Sequence, residues 1–263
     1  MIVIGSDYGV FRDRLAFFPD EDELAGLVAS MRANELLRVR QTSAPPPGPA
    51  RLVFETTFKT TCLDLTQPLD ALYQGMDATS CRYRIRKAGK MKDSIAIRRN
   101  DAEACADFAR IHNSFSRLNG HNAVLSRRRL DGYRAFGDVF TLYFKGEPIC
   151  CNLVLCDRRA RRARCLYYAS RRLEDGADAA LIGALMRYIH WDQIQTYKAE
   201  GMELYDFGGI EDGATGIAKF KLSFGGPAVD DRAYYFATGL GKLAYKAITM
   251  RSIRSMLRGR SPT

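Results

Sequence analysis

Between Val139 and Phe207 the chain follows a pattern that few folds can satisfy. Val139 to Phe144 and Ile149 to Cys156 are apolar, strand-like runs joined by Lys145-Gly146-Glu147, and Asp157 to Ala163 leads on to a third, Cys165 to Ala169. This spacing predicts an antiparallel meander of two linked hairpins. A helical pattern from Asp178 to about Ala199 follows, with Leu181, Leu185, Ile189 and Ile194 on one face and Gly201 placed to end it. Glu203 to Phe207 then reads as a short strand. A crossover of this kind places the strand after the helix beside the strand before it. The expected class is therefore α+β (α/β-like), a mixed, mostly antiparallel sheet flanked by helices.

The flanking regions are read in the same way. The amino-terminal part offers a strand-like start, Met1 to Ile4, and an amphipathic helix near Glu23 to Asn34. Ala44-Pro45-Pro46-Pro47-Gly48-Pro49 must be a loop, since prolines in series can form neither a helix nor a central strand. Arg51 to Leu65 reads as a strand, and Gln67-Pro68-Leu69-Asp70 opens a helix expected to run toward Lys92. Lys92 to Arg99 is a further strand, Asp101 to Leu118 a helix, and Ala233 to Phe236 the last strand.

At 263 residues, 46% hydrophobic and 27% charged, the chain can bury a core, which excludes a disordered or collagen-like protein. No apolar run reaches the roughly 18 residues of a membrane span, and the first residues lack the pattern of a secretion signal, so a cytoplasmic location is expected. The seven cysteines include no Cys-x-x-Cys and read as reduced core residues. His112, His121 and His190 have no metal-site spacing, and no Ser/His/Asp or Cys/His grouping points to covalent catalysis.

The net charge of +10 is unevenly spread. Residues 58–172 carry 23 basic and 11 acidic side chains, 173–236 carry 5 and 11, and 237–263 carry 6 and none. The basic tail, with Leu240, Leu243, Tyr245, Ile248, Ile253, Met256 and Leu257, has the composition of a helix lying on an anionic membrane surface. Arg158, Arg159, Arg161, Arg162 and Arg164 crowd a hairpin tip, where solvated charge is the default reading.

Three blocks, in order, carry a resemblance: Thr60 to Leu65 followed by Arg82 to Lys90; Leu204-Tyr205-Asp206-Phe207-Gly208-Gly209-Ile210; and Gly216 to Gly226, which contains Phe220-Lys221-Leu222-Ser223-Phe224. Over residues 58 to 236 the chain resembles the FemAB-like branch of the GNAT acyltransferase superfamily, whose best-known members build peptidoglycan interpeptide bridges. The resemblance implies a GNAT-type fold with a reduced amino-terminal lobe (1–76), a complete acyltransferase domain (77–236) and a basic, helical tail (237–263). It implies an N-acyltransferase moving an acyl or aminoacyl group to an amine of a cell-envelope or related precursor, with no tightly bound cofactor. The donor would be acyl-CoA or aminoacyl-tRNA, making tRNA and an anionic membrane, touched peripherally at its inner face, partners to consider.

The same resemblance suggests roles for individual residues. Lys221 would stabilise charge on the transferring ester, Phe220 would pack the donor's nucleoside end with Tyr205 nearby, and Arg84, Arg86 and Lys87 would meet a phosphate-bearing substrate. Asp206 would accept a proton from the amine or orient it, although an Asp capping the Gly208-Gly209 turn is an equal reading. One departure concerns the donor: Arg171 to Asp178 has a single glycine and three carboxylates near the helix start, a poor match to the pyrophosphate loop of acetyl-CoA enzymes. The alternatives are an acyl-CoA-dependent N-acetyltransferase acting on an amino sugar or small metabolite, and a non-catalytic module that binds RNA or membrane.

Overall fold

The computed structural model describes residues 1–120, 124–210 and 216–247. The chain begins with β1 (Ile2–Asp7), β2 (Arg12–Phe17), α1 (Glu21–Ala29), β3 (Glu35–Thr42) and β4 (Leu52–Asp64). It continues through α2 (Leu69–Gly75), a π-helical turn (Ala78–Arg82), α3 (Tyr83–Gly89), β5 (Ile95–Arg99), α4 (Ala102–Leu118) and α5 (Arg127–Arg134). The meander β6 (Gly137–Phe144), β7 (Glu147–Asp157) and β8 (Arg162–Ser170) leads to α6 (Ala179–Ala199), β9 (Leu204–Ile210), α7 (Gly216–Leu222) and β10 (Ala228–Ala237). Residues 240 to 247 are helical.

Two compact units result, Met1–Phe58 with the chain from Asp230 onward, and Lys59–Val229. These divisions differ from the expected boundaries after residues 76 and 236. The end of β4 pairs with β9 and so belongs to the second unit. β10 pairs antiparallel with β3 from Arg232 to Ala237, which returns the chain to the first. In the first unit the strand order is β1-β2-β3-β10, with β2 and β3 parallel. Its core is Leu24 and Leu27 of α1 against Leu37, Val39, Tyr234 and Phe236. A capping box starts α1: the Asp20 side chain accepts from the Glu23 N–H (2.8 Å) while the Glu23 side chain accepts from the Asp20 N–H (3.1 Å).

In the second unit the order is β4-β9-β8-β7-β6-β5, and β8 with β9 is its one parallel pair. The meander is as expected. At its tip Asp157 accepts from the N–H groups of Arg159 and Ala160, which holds the turn. The helix expected from residue 67 to 92 is instead three pieces, broken after Gly75. The chain becomes extended at Met76, and Asp77, whose side chain accepts from the N–H groups of Thr79 and Ser80, starts the next turn; Gly225 (φ +86°) passes close by, where a Cβ would stand 2.3 Å from the Gly75 oxygen. Gly226 is as tightly placed, 2.4 Å from the Cys62 oxygen. The core gathers Leu63 and Leu65 of β4, Ile85 and Ala88 of α3, Leu142, Val154, Leu185, Ile189 and Phe207. The architecture is thus a mixed, mostly antiparallel α/β fold.

Candidate active site

The ladder between β8 and β9 consists of three pairs, Arg162 with Leu204, Ala163 with Tyr205 and Arg164 with Asp206. Beyond them β8 stays with β7 as far as Ser170, and β9 stays with β4 as far as Ile210. The sheet therefore opens between two adjacent strands, and side chains from α7 meet both of them there. Phe220 stacks on Tyr168 of β8 (5.9 Å), and Phe224 packs on Phe207 of β9 (4.6 Å). His190 of α6 lies against both phenylalanines, at 5.5 and 5.6 Å.

Into this aromatic setting α7 brings one amine. Lys221 is 6% exposed, its Nζ donates to the Gly209 carbonyl (2.6 Å) and stands 5.6 Å from the Tyr168 ring centre. Gly208 makes room for it. At φ +80° that residue needs to be glycine, and a Cβ would meet the Cys165 oxygen at 3.3 Å and Lys221 Nζ at 3.7 Å. An ammonium so placed interacts strongly with charge that develops nearby, because little water screens it.

Asp206 lies on the opposite face of β9 from Tyr205 and Phe207 and is fully buried. Its Oδ1 accepts from the Thr60 hydroxyl (2.5 Å) and the Gly208 N–H (2.7 Å), and its Oδ2 accepts from Arg162 (2.9 Å). Burial alone would raise the pKa, but Arg164, Arg162, Thr60 and the Gly208 N–H together hold it below the usual carboxylate range. A carboxylate stabilised in this way is a weak base, so the proton-accepting role does not fit its surroundings. The turn-capping reading does, and the two arginines make Asp206 a clasp at the last paired residue before the strands part.

Tyr205 is also fully buried. Its hydroxyl donates to Gln193 (2.8 Å) and lies 3.0 Å from His190 Nδ1, so it faces the core and has no route to a donor. Burial, then the charges of Lys221 and Arg187, push the His190 pKa down to about 3, which leaves a neutral imidazole. The basic trio of α3 is dispersed. Arg84 reaches Gly183 of α6, where a Cβ would come within 2.9 Å of its Nη1. Arg86 lines a shallow surface pocket of about 370 Å³ with Tyr73, Tyr188 and Trp191, and Lys87 is exposed.

Sequence reasoning missed Arg187. This arginine on α6 is 9% exposed, donates to the Gly183 carbonyl (3.1 Å) and lies over the Phe220 ring (4.8 Å). The available signal was a lone cation inside the otherwise apolar run Leu181 to Ile189. The crowded arginines of the β7–β8 turn find carboxylates instead: Arg158 meets Glu200, Arg161 meets Glu203 and Arg162 meets Asp206. The cysteines form no disulfide, and burial pushes the thiols of Cys81 and Cys165 up to about 11 and about 12. Of the tail, Leu240 and Leu243 are exposed and Tyr245 packs on Tyr235 (5.8 Å); Ile248, Ile253, Met256 and Leu257, like His121, lie outside the described residues. Among the described residues no helix is long and apolar enough to cross a membrane.

No protein-family model matches the sequence, and no curated protein matches it. Solved structures do. FemX aligns with a TM-score of 0.58 at 11% identity, over 94% of this chain and 86% of its own. The C-terminal domain of a candidate lysylphosphatidylglycerol synthetase from Agrobacterium fabrum aligns at 0.56 and 15%, over 94% and 84%. L-PGS from Bacillus licheniformis aligns at 0.51 and 11%, over 89% and 80%. The parallel pair that opens, the helix before it and the Phe220-Lys221 segment thus belong to a chain with the fold shared by FemX, L-PGS and the Agrobacterium fabrum domain.

Proposed function

We propose that the protein is an N-acyltransferase that moves an acyl or aminoacyl group onto an amine of a cell-envelope or related precursor. The observation that carries this reading is the shielded ammonium of Lys221, set among aromatic rings where β8 and β9 part. In the reaction the free-base amine attacks the donor's carbonyl carbon, a C–N bond forms and the carbonyl oxygen becomes an oxyanion. Lys221 stabilises that charge as its contact with Gly209 gives way. The tetrahedral species then loses the C–O or C–S bond to the leaving group, which takes up the proton shed by the nitrogen. Asp206 acts as a positioning residue, fixing Arg162 and the Gly208 turn against which Lys221 rests.

One observation favours aminoacyl-tRNA over CoA as donor. The side chain of Asp178 accepts from the N–H groups of Ala180 and Leu181, so the start of α6, where a CoA pyrophosphate would bind backbone donors, already has its own carboxylate. Phe220, half-buried and stacked on Tyr168, would pack the donor's terminal nucleoside. On this reading the partners are tRNA and an amine-bearing acceptor, the reaction is cytoplasmic, and the basic tail would touch an anionic membrane.

The test is a transfer assay with purified protein, offering labelled aminoacyl-tRNA or acetyl-CoA to a panel of amine acceptors. Transfer from aminoacyl-tRNA that fails in a folded Lys221→Met variant supports the proposal. Transfer from acetyl-CoA alone would move the reading to an acetyltransferase, and full activity of Lys221→Met would remove the oxyanion role.

A further inference from the structure

The arginines near α6 divide into two groups with different electrostatics. Three of those of the β7–β8 turn, Arg158, Arg161 and Arg162, are matched by carboxylates, and Arg171 is matched by Glu174 (2.6 Å) and Glu147 (3.5 Å). Arg187 is different in charge pairing. No carboxylate forms an ion pair with it among the described residues, where its Nε, like several other arginine Nε atoms, is buried with no hydrogen-bond partner. After burial it feels the Cys81 thiol, then the charge of Arg84 and, least, that of Arg172. Arg84 and Arg187 converge on one residue, Gly183: Arg187 Nη1 donates to its carbonyl, and Arg84 Nη1 occupies the space where a side chain would begin. Neither Arg84 nor Arg172 has an ion-pair partner among the described residues.

Burying a guanidinium beside another, with no carboxylate to match it, is costly unless an anion completes the arrangement. Burial lowers the Arg187 pKa from its ordinary value, the Cys81 thiol opposing and the charges of Arg84 and Arg172 adding to that shift, yet the group stays charged because arginine starts so high. Planar guanidinium forks suit phosphate oxygens, which accept several charge-assisted hydrogen bonds at once. Position fits as well. The Arg187 guanidinium covers Phe220, the neighbour of Lys221 in sequence, so an anion held by Arg84 and Arg187 would lie next to the acyl-transfer point.

We propose that Arg84 and Arg187 form a cradle for a phosphate group of the acyl donor, in place of the helix start that Asp178 occupies. This rests on the acyltransferase reading for the ligand's identity, though the cradle itself is defined by charge and geometry. A phosphate could come from the end of an RNA or from CoA, and the cradle recognises what the two share.

The test uses inorganic pyrophosphate as the probe, followed by thermal shift and calorimetry at low and high salt. The wild-type protein gains thermal stability in a saturable, salt-sensitive way, because a ligand bound to the folded state alone raises its melting temperature. Arg84→Gln, at a half-buried position, weakens binding about tenfold or more. Arg187→Met abolishes it and raises the melting temperature of the unliganded protein, since a buried like-charge contact is gone. Arg158→Gln, whose partner is Glu200, binds as the wild type does. The cradle is overturned if pyrophosphate has no effect on the wild type, if binding survives Arg84→Gln, or if Arg187→Met lowers unliganded stability. Lys221→Met separates the two proposals: it should lose transfer and keep pyrophosphate binding. Competition by uncharged CCA-ended RNA or by CoA then identifies the phosphate's source, and failure of both to compete overturns the assignment to the donor.

Discussion

The two units each contain a strand, a helix and a second strand parallel to the first, and they use the motif differently. In the first, β2 and β3 pair across six positions, from Arg12 with Glu35 to Phe17 with Arg40. In the second, β8 and β9 pair across three and then separate. Both junctions hold a buried ion pair, Arg14 with Glu35 and Arg162 with Asp206. Arg14 also donates to the Leu27 carbonyl of α1 (3.0 Å), so that pair ties the crossover helix to its strands. The Asp206 clasp lies on the sheet face away from α6 and binds strand to strand. The lesson is that a crossover becomes a site when its ladder stops early and the freed edges are met by other side chains. A closed ladder of six pairs leaves no such opening, so the proposed site has no counterpart in the first unit.

The sharpest way to break this comparison is at the opening itself. Lys221→Met should lower acyl transfer by a factor of about a hundred or more with an unchanged circular-dichroism spectrum, as removal of an oxyanion donor does. A comparable loss from Arg14→Met, with folding intact, would contradict the division between the units. Next in size is the clasp. Asp206→Asn should cost about 3 kcal/mol in urea unfolding, because Arg162 and Arg164, both half-buried, lose the buried carboxylate they face. A pH series sharpens the point: the Asp206 pKa is lowered in the folded state, so its contribution is full above the ordinary carboxylate range of about 4 and fades as pH falls through the folded value. The melting temperature of Asp206→Asn should therefore depend less on pH in that acid range than the wild type's.

A smaller effect is expected at the close contact below α7. Gly226→Ala would set a methyl 2.4 Å from the Cys62 oxygen, and the backbone shift should cost about 1–3 kcal/mol in the same unfolding experiment. The smallest lies in the first unit. Gly26 is an exposed residue inside α1 with open space around its missing side chain. Gly26→Ala should stabilise by about 1 kcal/mol or slightly less and leave transfer unchanged, and an effect on transfer would show that the two crossovers are coupled.

What the sequence disclosed depended on how locally each element is determined. The meander was legible since alternation and turn residues are enough to specify it, and α6 was legible from its apolar face and from Gly201 at its end. α5 and β2 were not expected: the first is the arginine-rich run Arg127–Arg134, held by buried Leu130 and Tyr133, and the second gains its place through pairing with β1 and β3. α7 has seven residues and is stabilised by ring contacts from distant strands, which no window of sequence contains. Phe220 and Lys221 were found through their motif. Tyr205 does lie on the face of β9 opposite Asp206, but its aromatic neighbours give no sign that Gln193 and His190 claim its hydroxyl. Arg187 was overlooked because a cation in an apolar helix looks like an interruption until Arg84 and Gly183 are seen beside it.

The division of the chain also sets a timetable. The second unit, Lys59–Val229, is a continuous stretch, whereas the first is completed by β10, which follows it. During synthesis β3 can meet β2 early, but its other edge has no partner until residues 232 to 237 leave the ribosome. The second unit, with Lys221 and the opening between β8 and β9, has then been made in full, so it can mature while the first still waits for β10.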